Sequence, residues 1–142
     1  MLFRSGLTEA DAMAAAAPES LRAAGLSRPK IAYSQGLARA GIDFAGLRTL
    51  PDEEVIATLT AVKGIGVWTA EIYAMFALGR ADVFAAGDLA LQEAARVLFE
   101  LSGRPSPAEL RAMAEDWSPW RAVAARLLWA YYRVIRQREG IR

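Results

Sequence analysis

The chain contains no cysteine and no histidine, and these two absences exclude more chemistry than any other feature of its composition. It can build no Ser-His-Asp triad, no cysteine nucleophile, no Cys/His zinc site and no cysteine-held iron–sulfur cluster. Any reaction must run on carboxylates, lysine, tyrosine, backbone groups or a borrowed cofactor. Disulfides are excluded too, so nothing points to an oxidising compartment, and an intracellular place, cytoplasmic or nucleoid-associated, is expected. The first residues lack the long apolar stretch of a signal peptide. Uncharged apolar segments such as Ile72 to Leu78 fall far short of the ~20 residues that a bilayer requires. A soluble protein with no membrane partner is the expectation.

What the chain does have is alanine. Its 142 residues are 54% apolar and 23% charged, enough for one domain with a real core. Thirty residues are Ala, whereas Val, Ile and Thr together number 19, a balance that favours helix over sheet. The expected fold is an all-α helical bundle forming a single domain over residues 1–142. The net charge is only +1, yet residues 121–142 carry six Arg against one Glu, which concentrates the basic charge at the C-terminal end.

Local signals divide the chain into helices. Thr8-Glu9-Ala10-Asp11 has the form of a capped start leading into Ala14 to Ala17, and Pro18-Glu19 opens a second short turn ending near Gly25. Ser27-Arg28-Pro29 starts a helix to about Ala40, stopped by Gly41. Pro51 with Asp52, Glu53 and Glu54 makes an acidic first turn for a helix to about Ala61. After the break Lys63-Gly64-Ile65-Gly66, Val67 to Leu78 resumes as a helix so apolar around its circumference that it is expected to be buried. Asp88 opens a helix to about Leu101 with Leu91, Ala95 and Leu98 as its apolar stripe. Ser106-Pro107-Ala108-Glu109 has capping-box spacing, and Ser118-Pro119 is expected to cap a last helix to about Arg136. On that last helix Trp120, Val123, Ala124, Leu127, Leu128, Tyr131, Val134 and Ile135 share the expected core face. Trp129 falls opposite, among Ala122, Ala125, Arg126, Arg133 and Arg136. No repeat, linker or strand is expected.

Several residues admit both a structural and a functional reading. Gly64-Ile65-Gly66 makes a tight interhelical turn, and the same geometry brings consecutive N–H groups to the positive start of a helix, where an anion binds without basic side chains. Thr69 could add a hydroxyl donor there and Lys63 a screened charge. Asp88 N-caps its helix, and the positive helix end also keeps a carboxylate ionised. Trp68 continues an i, i+4, i+7, i+8 stripe with Ile72, Met75 and Phe76, which suits core packing. Trp129 has small neighbours that leave room for a stacked purine, or is an indole covered by Arg stems or packed against another helix. Arg121, Arg126, Arg133, Arg136 and Arg138 suit either phosphate contact or a solvated face.

Three blocks, Val62 to Ala70, Asp82-Val83-Phe84-Ala85-Ala86-Gly87-Asp88 and Trp117-Ser118-Pro119-Trp120-Arg121, occur in an order that resembles the helix-hairpin-helix DNA glycosylase superfamily. The branch resembled is the 3-methyladenine DNA glycosylase II type, and the likeness runs from about Thr8 to Arg133. The absence of cysteine excludes the superfamily's iron–sulfur members. The resemblance implies a helix-hairpin-helix at about residues 52–78 and a DNA repair glycosylase that hydrolyses the N-glycosidic bond of alkylated purines, such as 3-methyladenine, flipped out of double-stranded DNA. It implies Asp88 as the catalytic carboxylate, which opposes the positive charge that develops on the sugar. Trp68, Ile72 and Trp129 are implied as base-pocket residues, and Gly64, Gly66, Thr69 and Arg121 as phosphate contacts. Trp68 stands where bifunctional members carry a lysine nucleophile, which implies a monofunctional enzyme leaving an abasic site. No cofactor is required, while a monovalent cation on the carbonyls of Thr60, Val62 and Ile65 would bridge the hairpin to a phosphate.

The sequence also departs from the family pattern. Family domains carry helices upstream of the point where this chain begins, so the domain is expected to be incomplete at its N-terminus, and Lys63 replaces the proline common before the first hairpin glycine. Apolar surface exposed on Val67 to Leu78 is then expected to promote self-association. Two other readings remain beside the glycosylase: a non-catalytic helix-hairpin-helix module that holds duplex DNA, and an all-α domain that binds a protein partner.

Overall fold

Alanine-rich segments punctuated by glycine and proline fold as eight α-helices and two 3-10 turns in the computed structural model, which describes residues 9–138 and contains no strand among them. The all-α expectation therefore holds. The chain divides between Ile65 and Gly66 into two compact units.

The first unit contains α1 (Ala10–Ala15), α2 (Pro18–Ala23), α3 (Arg28–Arg39), a 3-10 turn (Gly46–Thr49) and α4 (Asp52–Thr60). Thr8, the expected cap of the first helix, lies outside the described residues. Helix α1 ends without a glycine, and its orphan carbonyls are satisfied instead by α3: Gln35 Nε2 donates to Ala16 O at 2.9 Å and Arg39 Nη2 to Ala14 O at 2.8 Å. Leu21, Ile31, Leu47, Val55 and Leu59 are buried here. The turn after α4 closes with Ile65 N–H donating to Val62 O at 3.0 Å. Gly64 is required in that turn, because its φ is +95° and a Cβ would run into the ring of Tyr33.

The second unit contains α5 (Val67–Phe76), α6 (Leu89–Leu98), α7 (Pro107–Met113), a 3-10 turn (Ala114–Trp117) and α8 (Arg121–Arg138). The capping box at the start of α7 forms as read: Glu109 N–H donates to Ser106 Oγ and Ser106 N–H to Glu109 Oε2. Helix α6 packs on α8. Ala94 and Ala95 of the one and Ala122 and Ala125 of the other are all buried.

That small-residue packing corrects the expected orientation of α8. Alanines occupy buried positions of both helices, while large side chains of the expected core stripe lie outside: Trp120 is 62% and Leu127 67% exposed, and Val123 and Val134 are exposed too. Of that stripe Leu128 and Ile135 are buried, and the buried arc turns toward the face that carries Ala122, Ala125 and Trp129. Leu98, expected on the buried stripe of α6, is likewise exposed.

Two further expectations are overturned. Helix α5 is not buried all round, because only the face bearing Ala70, Glu71, Ala74 and Met75 is inside, while Val67, Trp68 and Phe76 are exposed. Ser118 does not cap α8: its hydroxyl donates to Asp82 Oδ2 at 2.8 Å.

Candidate functional site

The second unit converges on one carboxylate. The loop before α6 is buried through Val83, Phe84, Ala85 and Ala86 and is fastened by side chains from two helices. Gln92, itself buried on α6, donates through Nε2 to Ala86 O at 2.9 Å. Arg121 of α8 donates through Nε and Nη2 to the two oxygens of Asp82 at 2.7 and 2.8 Å. The guanidinium and the Ser118 hydroxyl hold the Asp82 carboxyl well below the usual carboxylate range, against a smaller opposing effect of desolvation. Ala122 N–H, at the start of α8, donates to Ala81 O at 2.9 Å. The loop thus delivers Asp88 at a fixed place.

Asp88 is the N-cap of α6, as its sequence context suggested, and its Oδ1 accepts the backbone N–H groups of Ala90 at 2.9 Å and Leu91 at 3.1 Å. Two indoles reach the same carboxylate. Trp68 Nε1 of α5 donates to Oδ2 at 3.1 Å, and Trp129 Nε1 of α8 donates to Oδ1 at 3.2 Å. Four N–H groups from three helices, and the positive end of α6, therefore surround one partly exposed carboxylate.

Aromatic surface lies beside it. Phe76, two turns along α5 from Trp68, is 54% exposed and its ring centroid is 5.7 Å from that of Trp129 at a tilt of 38°. The Arg126 guanidinium sits 5.0 Å over the Phe76 ring. Phe76 is therefore not the core residue that its stripe suggests, and its i+8 relation to Trp68 is the signal in the sequence that both rings share a face. Ile72, one turn after Trp68, is half-buried.

The remaining expected residues are dispersed. Thr60, Val62, Gly64 and Ile65 belong to the first unit, and Gly66 and Thr69 to the second. Gly66 is the N-cap of α5 in an extended conformation, with φ −87°, and no side chain caps that helix start. Thr69 is exposed in its first turn. Arg121 faces Asp82 as described, which gives it a part in holding the loop. Among the described residues no cluster of three acidic side chains is placed to hold a metal ion, and no helix is long and apolar enough to cross a membrane.

An ion pair with a buried carboxylate ties α5 to α7. Glu71 of α5 is buried and accepts from Arg111 Nη2 of α7 at 2.7 Å, while Arg111 Nη1 makes a long 3.4 Å contact to Phe84 O in the Asp88 loop. Burial pushes the Glu71 carboxyl up, and the Arg111 hydrogen bond and charge offset that only in part.

The DNA-3-methyladenine glycosylase 1 of Schizosaccharomyces pombe is 37% identical over 118 residues, covering 78% of this chain and 51% of that protein. The DNA-3-methyladenine glycosylase 2 of Escherichia coli is 32% identical over 119 residues, covering 82% and 40%. A solved structure of the S. pombe 3-methyladenine DNA glycosylase in complex with abasic DNA superposes with a TM-score of 0.75 at 34% identity, covering 85% of this chain and 61% of that one. Across the relatives it matches, the chain spans from about a seventh to about half of their length. A family model described as "HhH-GPD superfamily base excision DNA repair protein" matches residues 2–119. The chain belongs to the HhH-GPD superfamily of base excision DNA repair proteins.

Proposed function

We propose that this chain carries the working centre of a monofunctional DNA glycosylase that hydrolyses the N-glycosidic bond of alkylated purines, such as 3-methyladenine, flipped out of duplex DNA. The observation that carries this reading is the Asp88 carboxylate held by two indole and two backbone N–H groups beside exposed aromatic rings. Departure of an alkylated base leaves positive charge on the sugar. A fixed carboxylate aimed at that charge lowers the barrier without reorganising, and it can orient the attacking water. The alkylated base already leaves well, so no strong general acid is needed. Trp68, Ile72 and Trp129 are the proposed walls for the flipped base, and Trp68, lacking an amine, cannot form a covalent bond to the sugar.

Duplex DNA is the proposed partner, held at its phosphates by the N–H groups of the uncapped α5 start, by Gly64, Gly66 and Thr69, and by Arg121. The carbonyls of Thr60, Val62 and Ile65 are neutral oxygens of the kind that hold a monovalent cation, and Val62 O retains a lone pair after closing its turn. A cation there would attract a phosphate. Self-association through the exposed apolar surface of α5 belongs to the same proposal, as does an intracellular place beside DNA.

The test is release of free base from methylated duplex DNA. Wild-type protein should release 3-methyladenine, and Asp88→Asn should lose release while retaining much of its salt-dependent DNA binding. Release by Asp88→Asn at the parent rate refutes the mechanism. Wild-type binding without any release would instead make the chain a non-catalytic DNA-binding module.

A further inference from the structure

The four donors on Asp88 are divided unequally. Among the described residues Oδ1 accepts three, from Ala90 N, Leu91 N and Trp129 Nε1, whereas Oδ2 accepts only the Trp68 Nε1–H at 3.1 Å. A carboxylate offers about four lone-pair sites, two on each oxygen. Oδ1 is therefore saturated, and Oδ2 is the oxygen with capacity to spare. We infer that Trp68 and Trp129 are positioning residues that clamp the carboxylate through their indole N–H groups and present Oδ2 as its working oxygen. This rests on the proposed glycosylase reading and adds to it, because a ring that merely walls a base pocket has no need of its N–H.

The clamp has a mechanical logic. The Oδ1 bonds pin the carboxylate to the rigid start of α6, and the Trp68 bond stops Oδ2 from swinging about the remaining torsion. The two indoles come from α5 and α8 and the backbone donors from α6, so the carboxylate is fixed from three elements. An anion held this way changes its surroundings little as charge builds on the sugar, which is the property electrostatic stabilisation demands. The two tryptophans are also unequal. Loss of the Trp129 N–H leaves Oδ1 with two backbone donors, whereas loss of the Trp68 N–H leaves Oδ2 with none.

Phenylalanine keeps an aromatic wall and removes the N–H. In single-turnover and steady-state base release from methylated duplex, Trp68→Phe should lower kcat about tenfold or more with KM changed less than about threefold, and Trp129→Phe should lower kcat by a smaller factor. A raised KM with kcat retained would mean that the rings act as walls alone, and equal losses in both variants would remove the assignment of Oδ2. An independent readout is the set of four indole N–H signals in a 15N-resolved NMR spectrum. In Asp88→Ala the Trp68 and Trp129 signals should move strongly while those of Trp117 and Trp120 hold their places. Unmoved Trp68 and Trp129 signals overturn the clamp. If wild-type protein releases no base while these signals move, the glycosylase reading fails and the clamp stands.

Discussion

Removing the Arg111 guanidinium should destabilise the protein in a pH-dependent way. Glu71 is 4% exposed; one oxygen is bonded to Arg111 at 2.7 Å and the other, Oε2, is buried without a hydrogen-bond partner among the described residues. Deleting one partner of a fully buried pair costs about 3–5 kcal/mol, because a charge is left stranded. The Arg111 side chain is 46% exposed, so water already screens it. About 2 kcal/mol is therefore expected for Arg111→Ala at neutral pH, equivalent to roughly 6–8 °C in Tm for a chain of this size. The sign of the pH dependence follows from burial. A carboxyl whose pKa is raised by folding, as Glu71's is above 4.5, adds most to stability below its unfolded pKa, and that contribution is lost as pH rises through the folded value. Without Arg111 the raised value goes higher still, and a protonated Glu71 no longer needs a guanidinium. The cost of Arg111→Ala should thus shrink between about pH 7 and about pH 5. Urea titrations followed by circular dichroism at both pH values check this for wild type, Arg111→Ala, Glu71→Gln and the double variant. In the Glu71→Gln background the arginine deletion should cost about 1 kcal/mol or less. An equal cost at both pH values, or strict additivity in the double variant, refutes the reasoning.

Other consequences can be measured in the same way. Asp82→Asn should cost about 1 kcal/mol near neutral pH through the lost Arg121 fork and Ser118 bond. Because the Asp82 carboxyl is depressed by folding, its contribution is present above the ordinary carboxylate range and lost as pH falls below it, so urea midpoints of variant and wild type should converge in acid. Gly64→Ala combines a positive φ with a collision at the Tyr33 ring and should lose about 1–3 kcal/mol in thermal melts, only part of it recovered in a Tyr33→Ala background. Adjacent leucines test the orientation of α8: Leu128→Ala should cost about 3 kcal/mol and Leu127→Ala less than about 0.5 kcal/mol, and similar losses would mean that the buried arc is misplaced. The exposed Val67, Trp68 and Phe76 surface should make apparent mass in light scattering rise with protein concentration, an expectation that a monodisperse monomer contradicts.

Much of the architecture was legible in the residues, and for identifiable reasons. Caps and stops act locally, so Ser106 to Glu109, Pro18, Gly41 and Asp88 marked helix ends that the fold retains. The helical class followed from alanine. The orientation of α8 was not legible from hydrophobicity, because that signal ranks a buried Ala122 or Ala125 below an exposed Leu127. Small side chains occupy buried positions of α6 and α8, and their value appears only when the partner helix is known. The same limit applied to α5, where Trp68 and Phe76 read as core residues although the face that is inside carries Ala70, Ala74 and a paired Glu71. At the candidate site, Asp88 and both tryptophans were named from sequence, yet their meeting at one carboxylate spans sequence separations of 20 and 41 residues. No local pattern encodes that. Arg121, named for phosphate contact, lies in the fold against Asp82, a pairing that its position beside Trp120 did not reveal.

The paired indoles on Asp88 also make the protein its own optical probe. Of its four tryptophans, two have their N–H groups on the same carboxylate. Trp117 meets the rings of Phe84 and Phe99, and Trp120 faces solvent. Emission from Trp68 and Trp129 should respond when a base stacks beside them or when the carboxylate is replaced, against a background from the other two that does not change. Occupancy of the site can then be followed in real time, without a label and before any bond is broken.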